Sequence, residues 1–227
     1  MIETRRPIPA NRIKLLLWDL DGTLVDSELD LAHSVNAMLR NLNRPELPIE
    51  VVAGYIGDGA PMLVRRALGD PEDEGFLREA LEYFMMYYRE HLLDNTFAYP
   101  GVLETLAAVR QRSSLGMAVL TNKPVHPSQA ICDGLGLSAF LPTIYGGNSF
   151  PTKKPDPHGA RVLMQEHGVE PEETIMIGDS QNDVLTANNA GMYSIGVTYG
   201  LSPESLRIHK PDVLIDHATE LLTVLGL

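Results

Sequence analysis

Ile13-Lys14-Leu15-Leu16-Leu17-Trp18-Asp19-Leu20-Asp21-Gly22-Thr23 is the stretch on which the reading of this chain turns. Five of its first six residues are apolar, and the run stops at Asp-Leu-Asp-Gly after too few residues for an ordinary helix. It reads as a strand buried on both faces, closed by a turn. Comparable runs recur at Leu115–Leu120, Thr143–Tyr145, Thr174–Ile177 and Ser194–Val197, with a weaker one at Asp212–Ile215. Helical patterns lie between most of them, at Val102–Arg110, Pro157–His167 and Asp183–Ala190. Strands alternating with helices predict an α/β fold: a Rossmann-like parallel sheet covered on both faces.

The interval from Val25 to Thr96 breaks the alternation. Leu31, Val35, Met38 and Leu42 share a helical face, as do Ala60, Leu63, Val64, Ala67 and Leu68, and then Phe76, Ala80, Phe84 and Tyr87. Amphipathic helices without a strand predict a helical insertion directly after the first strand. The expected division is a core of residues 1–24 and 97–227 with an insertion of residues 25–96. Tyr83-Phe84-Met85-Met86-Tyr87-Tyr88 reads as packing within that insertion, and Met1 to Arg12 as a short mobile tail.

Composition sets the class of partner. The 227 residues are 44% apolar and 21% charged, ordinary values for a globular chain that can build a core. A formal net charge of −12 argues against nucleic-acid binding, which rests on Lys and Arg neutralising phosphates. No apolar run approaches the ~20 residues that cross a bilayer, and none of signal-peptide length precedes Lys14. Cys132 is the only cysteine, so an intrachain disulfide and a cysteine zinc site are excluded, and the cytoplasm is the expected compartment.

Ligands of open parallel sheets bind beyond the carboxyl ends of the strands. Four features fall there: Asp19-Leu20-Asp21-Gly22-Thr23, Thr121-Asn122-Lys123, Lys154-Pro155, and Gly178-Asp179-Ser180-Gln181-Asn182-Asp183. Any one of these aspartates alone would serve as a turn residue or helix cap. Together they converge, and two carboxylates about 4 Å apart repel by roughly 4 kcal/mol at an effective dielectric of 20. A hard divalent cation would let them coexist, and magnesium suits oxygen ligands with room for water and phosphate. Lys154, in a proline-rich loop, supplies positive charge and Thr121 a neutral donor; Lys153 is expected to face solvent.

These residues resemble the haloacid dehalogenase superfamily, the aspartate-nucleophile phosphotransferases. Asp19-x-Asp21-Gly22-Thr23-Leu24 is similar to its nucleophile motif, and Thr121, Lys154 and Gly178-Asp179-Ser180-x-x-Asp183 to its other three, in the expected order. The resemblance implies that Asp19 attacks phosphorus and that Asp21 is the general acid and base. It implies that Thr121, Asn122 and Lys154 bind the phosphoryl group. It further implies a Mg2+ held by Asp19, the Asp21 backbone carbonyl and Asp179, with Asp183 as ligand or anchor, and a mobile helical cap that selects substrate. The expected partner is a small phosphorylated metabolite, and the chain is expected to be a monomer or homodimer.

Gly57-Asp58-Gly59, Leu120-Thr121-Asn122-Lys123, Gly146-Gly147-Asn148-Ser149 and Lys153-Lys154-Pro155-Asp156-Pro157 resemble the phosphoglycolate phosphatase branch. Asn148 departs from its habit, which favours an acidic residue there. Sugar phosphomutases and pyrophosphatases share the core, and a non-enzymatic phospholigand binder is disfavoured because no motif residue is missing. Arg65 and Arg66 are candidates for a substrate carboxylate, although solvated arginines on a helix surface are commoner.

Overall fold

The computed structural model describes residues 2–227. The chain opens with β1 (Glu3–Thr4), then β2 (Leu15–Trp18) and β3 (Val25–Asp26). Helices α1 (Glu28–Asn41), α2 (Ile49–Ala53), α3 (Ala60–Ala67) and α4 (Glu74–His91) follow without an intervening strand, and β4 (Phe97–Ala98) returns. Next come α5 (Val102–Arg112), β5 (Gly116–Leu120), α6 (Val125–Gly134), β6 (Thr143–Tyr145), α7 (His158–His167) and β7 (Thr174–Gly178). The chain finishes with α8 (Gln181–Ala190), β8 (Tyr193–Val197), α9 (Pro203–Ile208), β9 (Val213–Ile215) and α10 (Glu220–Leu225).

The main sheet runs in the order β1-β9-β8-β7-β2-β5-β6, parallel throughout except for β1. The opening stretch is its centre. Leu15 and Leu17 face a layer that includes Leu163 and Met164 of α7 and Ala187 of α8, while Leu16 and Trp18 face the opposite layer, with Leu106 of α5 and Leu221 of α10. A strand buried on both sides has no polar face to offer water, which is why its sequence is a continuous apolar run.

Two short elements escaped the sequence pattern. Glu3–Thr4 pairs antiparallel with β9, and Arg5 donates to the buried Asp212 carboxylate at 2.9 Å, so the expected mobile tail is in part an edge strand. Val25–Asp26 pairs with Phe97–Ala98 where the chain leaves and re-enters the sheet region. Two-residue strands carry no periodicity to read.

In the helical region α1 packs against α4. The buried face of α4 is Leu77, Ala80, Phe84 and Tyr88, so the apolar stripe is displaced by one residue at both ends from the expected Phe76–Tyr87 reading. Asp30, buried near the start of α1, ties this region to its return strand. It accepts from the Asn95 backbone and side-chain amides at 3.0 and 2.8 Å and from the Thr96 amide and hydroxyl at 2.8 and 2.7 Å. No helix among the described residues is long and apolar enough to cross a membrane.

Burial pushes the Asp30 carboxyl up, but the Thr96 and Asn95 donors prevail and hold it below the ordinary carboxylate value. A depressed folded-state pKa stabilises the fold above the unfolded value, near pH 4, and that contribution is lost as pH falls through the folded value. Asp30→Ala should therefore cost about 2–4 kcal/mol in urea unfolding at pH 7, by orphaning donors that are part-buried or buried. The deficit should shrink below pH 4, and a deficit that persists undiminished at low pH would contradict this account.

Candidate active site

Strand register assembles the site. Trp18 is aligned with Val119 of β5 and Ile177 of β7, so Asp19, Thr121 and Asp179 emerge together at the carboxyl rim. Asp183 comes from the first turn of α8, and Lys154 from the loop between β6 and α7. The Lys154 ammonium lies 2.9 Å from Asp19 Oδ1 and 2.6 Å from Asp183 Oδ1, with its side chain 2% exposed. Asp183 Oδ2 accepts from the Ser180 amide and hydroxyl at 3.1 and 2.8 Å, closing a capping box that fixes the start of α8. Asp179 Oδ2 accepts the Leu201 and Ser202 amides at 2.8 and 3.0 Å.

Glycines make the carboxylate packing possible. A Cβ on Gly22, whose φ is +80°, would stand 2.2 Å from Asp179 Oδ2, one on Gly178 would stand 2.0 Å from Asp183 Cγ, and one on Gly200 would stand 2.3 Å from Asp179 Cβ. The Gly of the Asp-x-Asp-Gly motif is thus required twice, for its left-handed backbone and for the space it leaves.

Carboxylate oxygens of Asp19, Asp179 and Asp183 lie within 4.8 Å of one another, all three residues buried. One ammonium faces these three carboxylates, so two negative charges are left without a partner. Burial, chiefly, pushes the Asp19 carboxyl up to about 6 against the pull of Lys154, with Asp183 adding to the rise. Burial, then Asp183 and Asp19, raises Asp179 well above the ordinary value despite its two amide donors. Lys154 stays charged because Asp183 and Asp19 outweigh its own desolvation. An all-oxygen cluster lacking two positive charges fits a hard divalent cation.

Asp21 stands apart from that cluster. Its carboxylate accepts from the Ser27 hydroxyl, and the Lys123 ammonium lies 2.9 and 3.1 Å from its two oxygens. Thr121 is buried, and its hydroxyl accepts the Lys123 amide at 3.2 Å. Asn122 Nδ2 donates to the carbonyls of Gly57 and Lys154 at 3.0 and 3.1 Å. Asn182 Nδ2 reaches Asp58 Oδ1 at 2.9 Å, and Lys153 donates to the Asp58 carbonyl, so this lysine touches the helical region and does not simply face solvent.

A cavity lies between Asp19 and Asp21 on one side and α1, α3 and α4 on the other, lined by Lys123, Phe84, Met85 and Tyr88 among others. The aromatic and methionine run read as packing therefore supplies part of the chamber wall. Lys123 has no role assigned by its motif alone; its signal in the sequence is a lysine two residues beyond a strand-end threonine, where burial demands a counter-charge. Arg65 pairs with Asp70 and Glu74, and Arg66 with Asp58, so neither candidate arginine reaches the cavity. Asn148 Oδ1 accepts the Val125 amide at the start of α6, which an amide oxygen does without carrying charge.

A family model for haloacid dehalogenase-like hydrolases matches residues 16–197. The chain belongs to that family. It is 38% identical over 222 residues to a phosphoglycolate phosphatase of Photobacterium profundum, covering 95% of this chain and 96% of the relative. It is 39% identical to phosphoglycolate phosphatase 1 of Pseudomonas aeruginosa, over 95% of this chain and 81% of that one. The crystal structure of a predicted phosphoglycolate phosphatase from Haemophilus somnus 129pt superposes with a TM-score of 0.88 at 34% identity, over 94% and 98% of the two chains.

Carboxyls with raised folded-state pKa values favour folding at low pH and lose that contribution as pH rises from about 4 through the folded values. A divalent cation takes the place of the protons, so its binding should strengthen with pH. Thermal melts with and without millimolar magnesium chloride should show a stabilisation that grows from pH 5.5 to 8. Asp179→Asn, which keeps an acceptor for Leu201 and Ser202, should lose most of that gain. A pH-independent shift, or one that survives the substitution, would count against the cluster as the cation site.

Proposed function

We propose that this hydrolase removes the phosphoryl group from a small phosphorylated metabolite of the phosphoglycolate type, with Mg2+ as cofactor, in the cytoplasm. The observation that carries the reading is the buried Asp19 carboxylate, held by Lys154, standing at once beside the surplus-charge cluster and the mouth of a cavity. The near full-length likeness to phosphoglycolate phosphatases supports the substrate class.

Asp19 Oδ1 accepts the Leu20 amide at 2.7 Å as well as the Lys154 ammonium. Its other oxygen attacks phosphorus, and the bond from phosphorus to the ester oxygen breaks as an aspartyl phosphate forms. Asp21 gives its proton to the departing alkoxide, then takes one from the water that attacks the same phosphorus and frees Asp19. Lys154, the Thr121 hydroxyl and the backbone at Asn122 offset charge on the phosphoryl oxygens. Asp19, the Asp21 carbonyl and Asp179 would hold a magnesium ion, with Asp183 as anchor, and the chemistry it would supply is neutralisation of the surplus carboxylate charge and polarisation of the phosphoryl group.

Residues 25–96 act as a cap on a core of 1–24 and 97–227. The Gly57–Asp58–Gly59 turn bears on Asn122, Asn182 and Lys153, and a Cβ on Gly59 would meet the Asn122 carbonyl at 2.7 Å. That contact closes the chamber and keeps bulk water from the acyl phosphate.

Purified protein should release phosphate from 2-phosphoglycolate with magnesium and stop on chelation. Asp19→Asn should lower kcat about 1000-fold or more with the fold intact, and substantial residual turnover would refute the covalent route. Asp21→Ala should lose most on esters of poor leaving groups and least on p-nitrophenyl phosphate. Equal losses on both would remove it as the acid.

A further inference from the structure

The cavity beyond Asp19 has a single cationic side chain in its lining among the described residues, Lys123. Its side chain is 3% exposed, with Nζ 4.7 Å from the centre of the Tyr88 ring. Tyr88 is equally buried; its hydroxyl oxygen faces the Lys123 ammonium, and its proton has no acceptor among the described residues. Phe84, Met85, Leu63 and Pro127 make the adjoining wall apolar. A buried hydroxyl whose proton has no acceptor is costly and uncommon in a folded protein, and a ligand oxygen is a direct way to satisfy it.

Nearby cations are engaged elsewhere. Lys154 is held between Asp19 and Asp183, Lys153 and Arg66 on Asp58, and Arg65 on Asp70 and Glu74. Lys123 has three N–H donors, and its recorded ion pair is with the Asp21 carboxylate alone. Free space of about 30 Å3 beside it corresponds to two or three water-sized atoms, at about 10–15 Å3 for each, which is the size of a carboxylate.

We propose that Lys123 and the Tyr88 hydroxyl are specificity-determining residues that bind a carboxylate on the leaving alcohol, so that small phosphorylated hydroxy acids are preferred over neutral esters of the same size. The inference rests on the phosphatase reading above. The Lys123 ammonium offsets the charge of a substrate carboxylate in a dry chamber, and the tyrosine donates to the oxygen farther from the lysine. An apolar wall around them disfavours a neutral polar tail, which would bring no charge for Lys123.

The test compares kcat/KM for 2-phosphoglycolate and its neutral isostere 2-phosphoglycolamide in the full chain with magnesium. Wild type should favour the acid by about 10- to 100-fold, the range for a hydrogen-bonded charge. Lys123→Met should reduce that ratio about 10-fold or more. Tyr88→Phe, which deletes one oxygen and spares the ion pair with Asp21, should reduce it about 3-fold or more, mainly through KM for the acid. Equal turnover of both esters by wild type, or equal losses on both in the variants, overturns the proposal and leaves Lys123 as a counter-ion of Asp21. Phosphate release from p-nitrophenyl phosphate reads the parent hypothesis separately, and its absence there and from both esters sinks the phosphatase reading along with this one.

Discussion

Three buried carboxylates facing one ammonium are the constraint around which this molecule is organised. Asp19, Asp179 and Asp183 share a space in which Lys154 offsets only one charge. Repulsion of this kind opens a site or protonates it unless the surrounding chain is stiff and a cation is at hand. Both remedies are visible in the chain. The stiffness comes from β2, flanked by parallel neighbours and apolar on both faces, and the capacity for a cation from acidic groups whose pKa values are already displaced by burial.

Stiffness alone does not bring carboxylates within ion-binding reach; it also takes space. Gly22, Gly178 and Gly200 each sit where a methyl group would strike an aspartate of the cluster. Backbone amides do the rest, with Leu20 on Asp19, Ser180 on Asp183, and Leu201 and Ser202 on Asp179. Each carboxylate is thereby held by main chain before any ligand arrives, which is the preorganisation that makes electrostatic catalysis effective.

How much of this was legible in the sequence follows from the range of the forces involved. The sheet core was readable because Leu15–Trp18 and its partner strands are buried on both faces and so keep continuous apolar runs. The acidic pairs were readable because strand ends in a parallel sheet share one rim, so residues about 160 apart could be placed together from topology. Glu3–Thr4 and the Val25–Phe97 ribbon were not, since two-residue pairings are fixed by their partners and not by any local period. Tyr88 packs in the helical region as its spacing predicts, and its place in the cavity wall was illegible for a related reason. Its helical spacing announced a buried face, but whether that face meets other side chains or a chamber depends on how the helical layer sits on the rim. The partner of Lys123, Asp21, is likewise 102 residues away and belongs to no local pattern.

The two buried lysines divide the site between them. Lys154 lies within the carboxylate cluster, bonded to Asp19 and to Asp183, where on the proposed mechanism it would serve charge carried by the transferred group. Lys123 lies on the side of the helical region, bonded to Asp21 and facing the tyrosine of α4, where on the proposed assignment it would serve charge carried by the group that leaves. A phosphorylated hydroxy acid has one anion at each end, separated by two carbons. Two ammoniums, one on Asp19 and one on Asp21, match that distribution, whereas a neutral sugar phosphate would bring no second charge to Lys123. On the proposed assignment the same lysine would hold the acid in place and disfavour substrates lacking the second charge, so that selection and proton transfer would be coupled through one side chain.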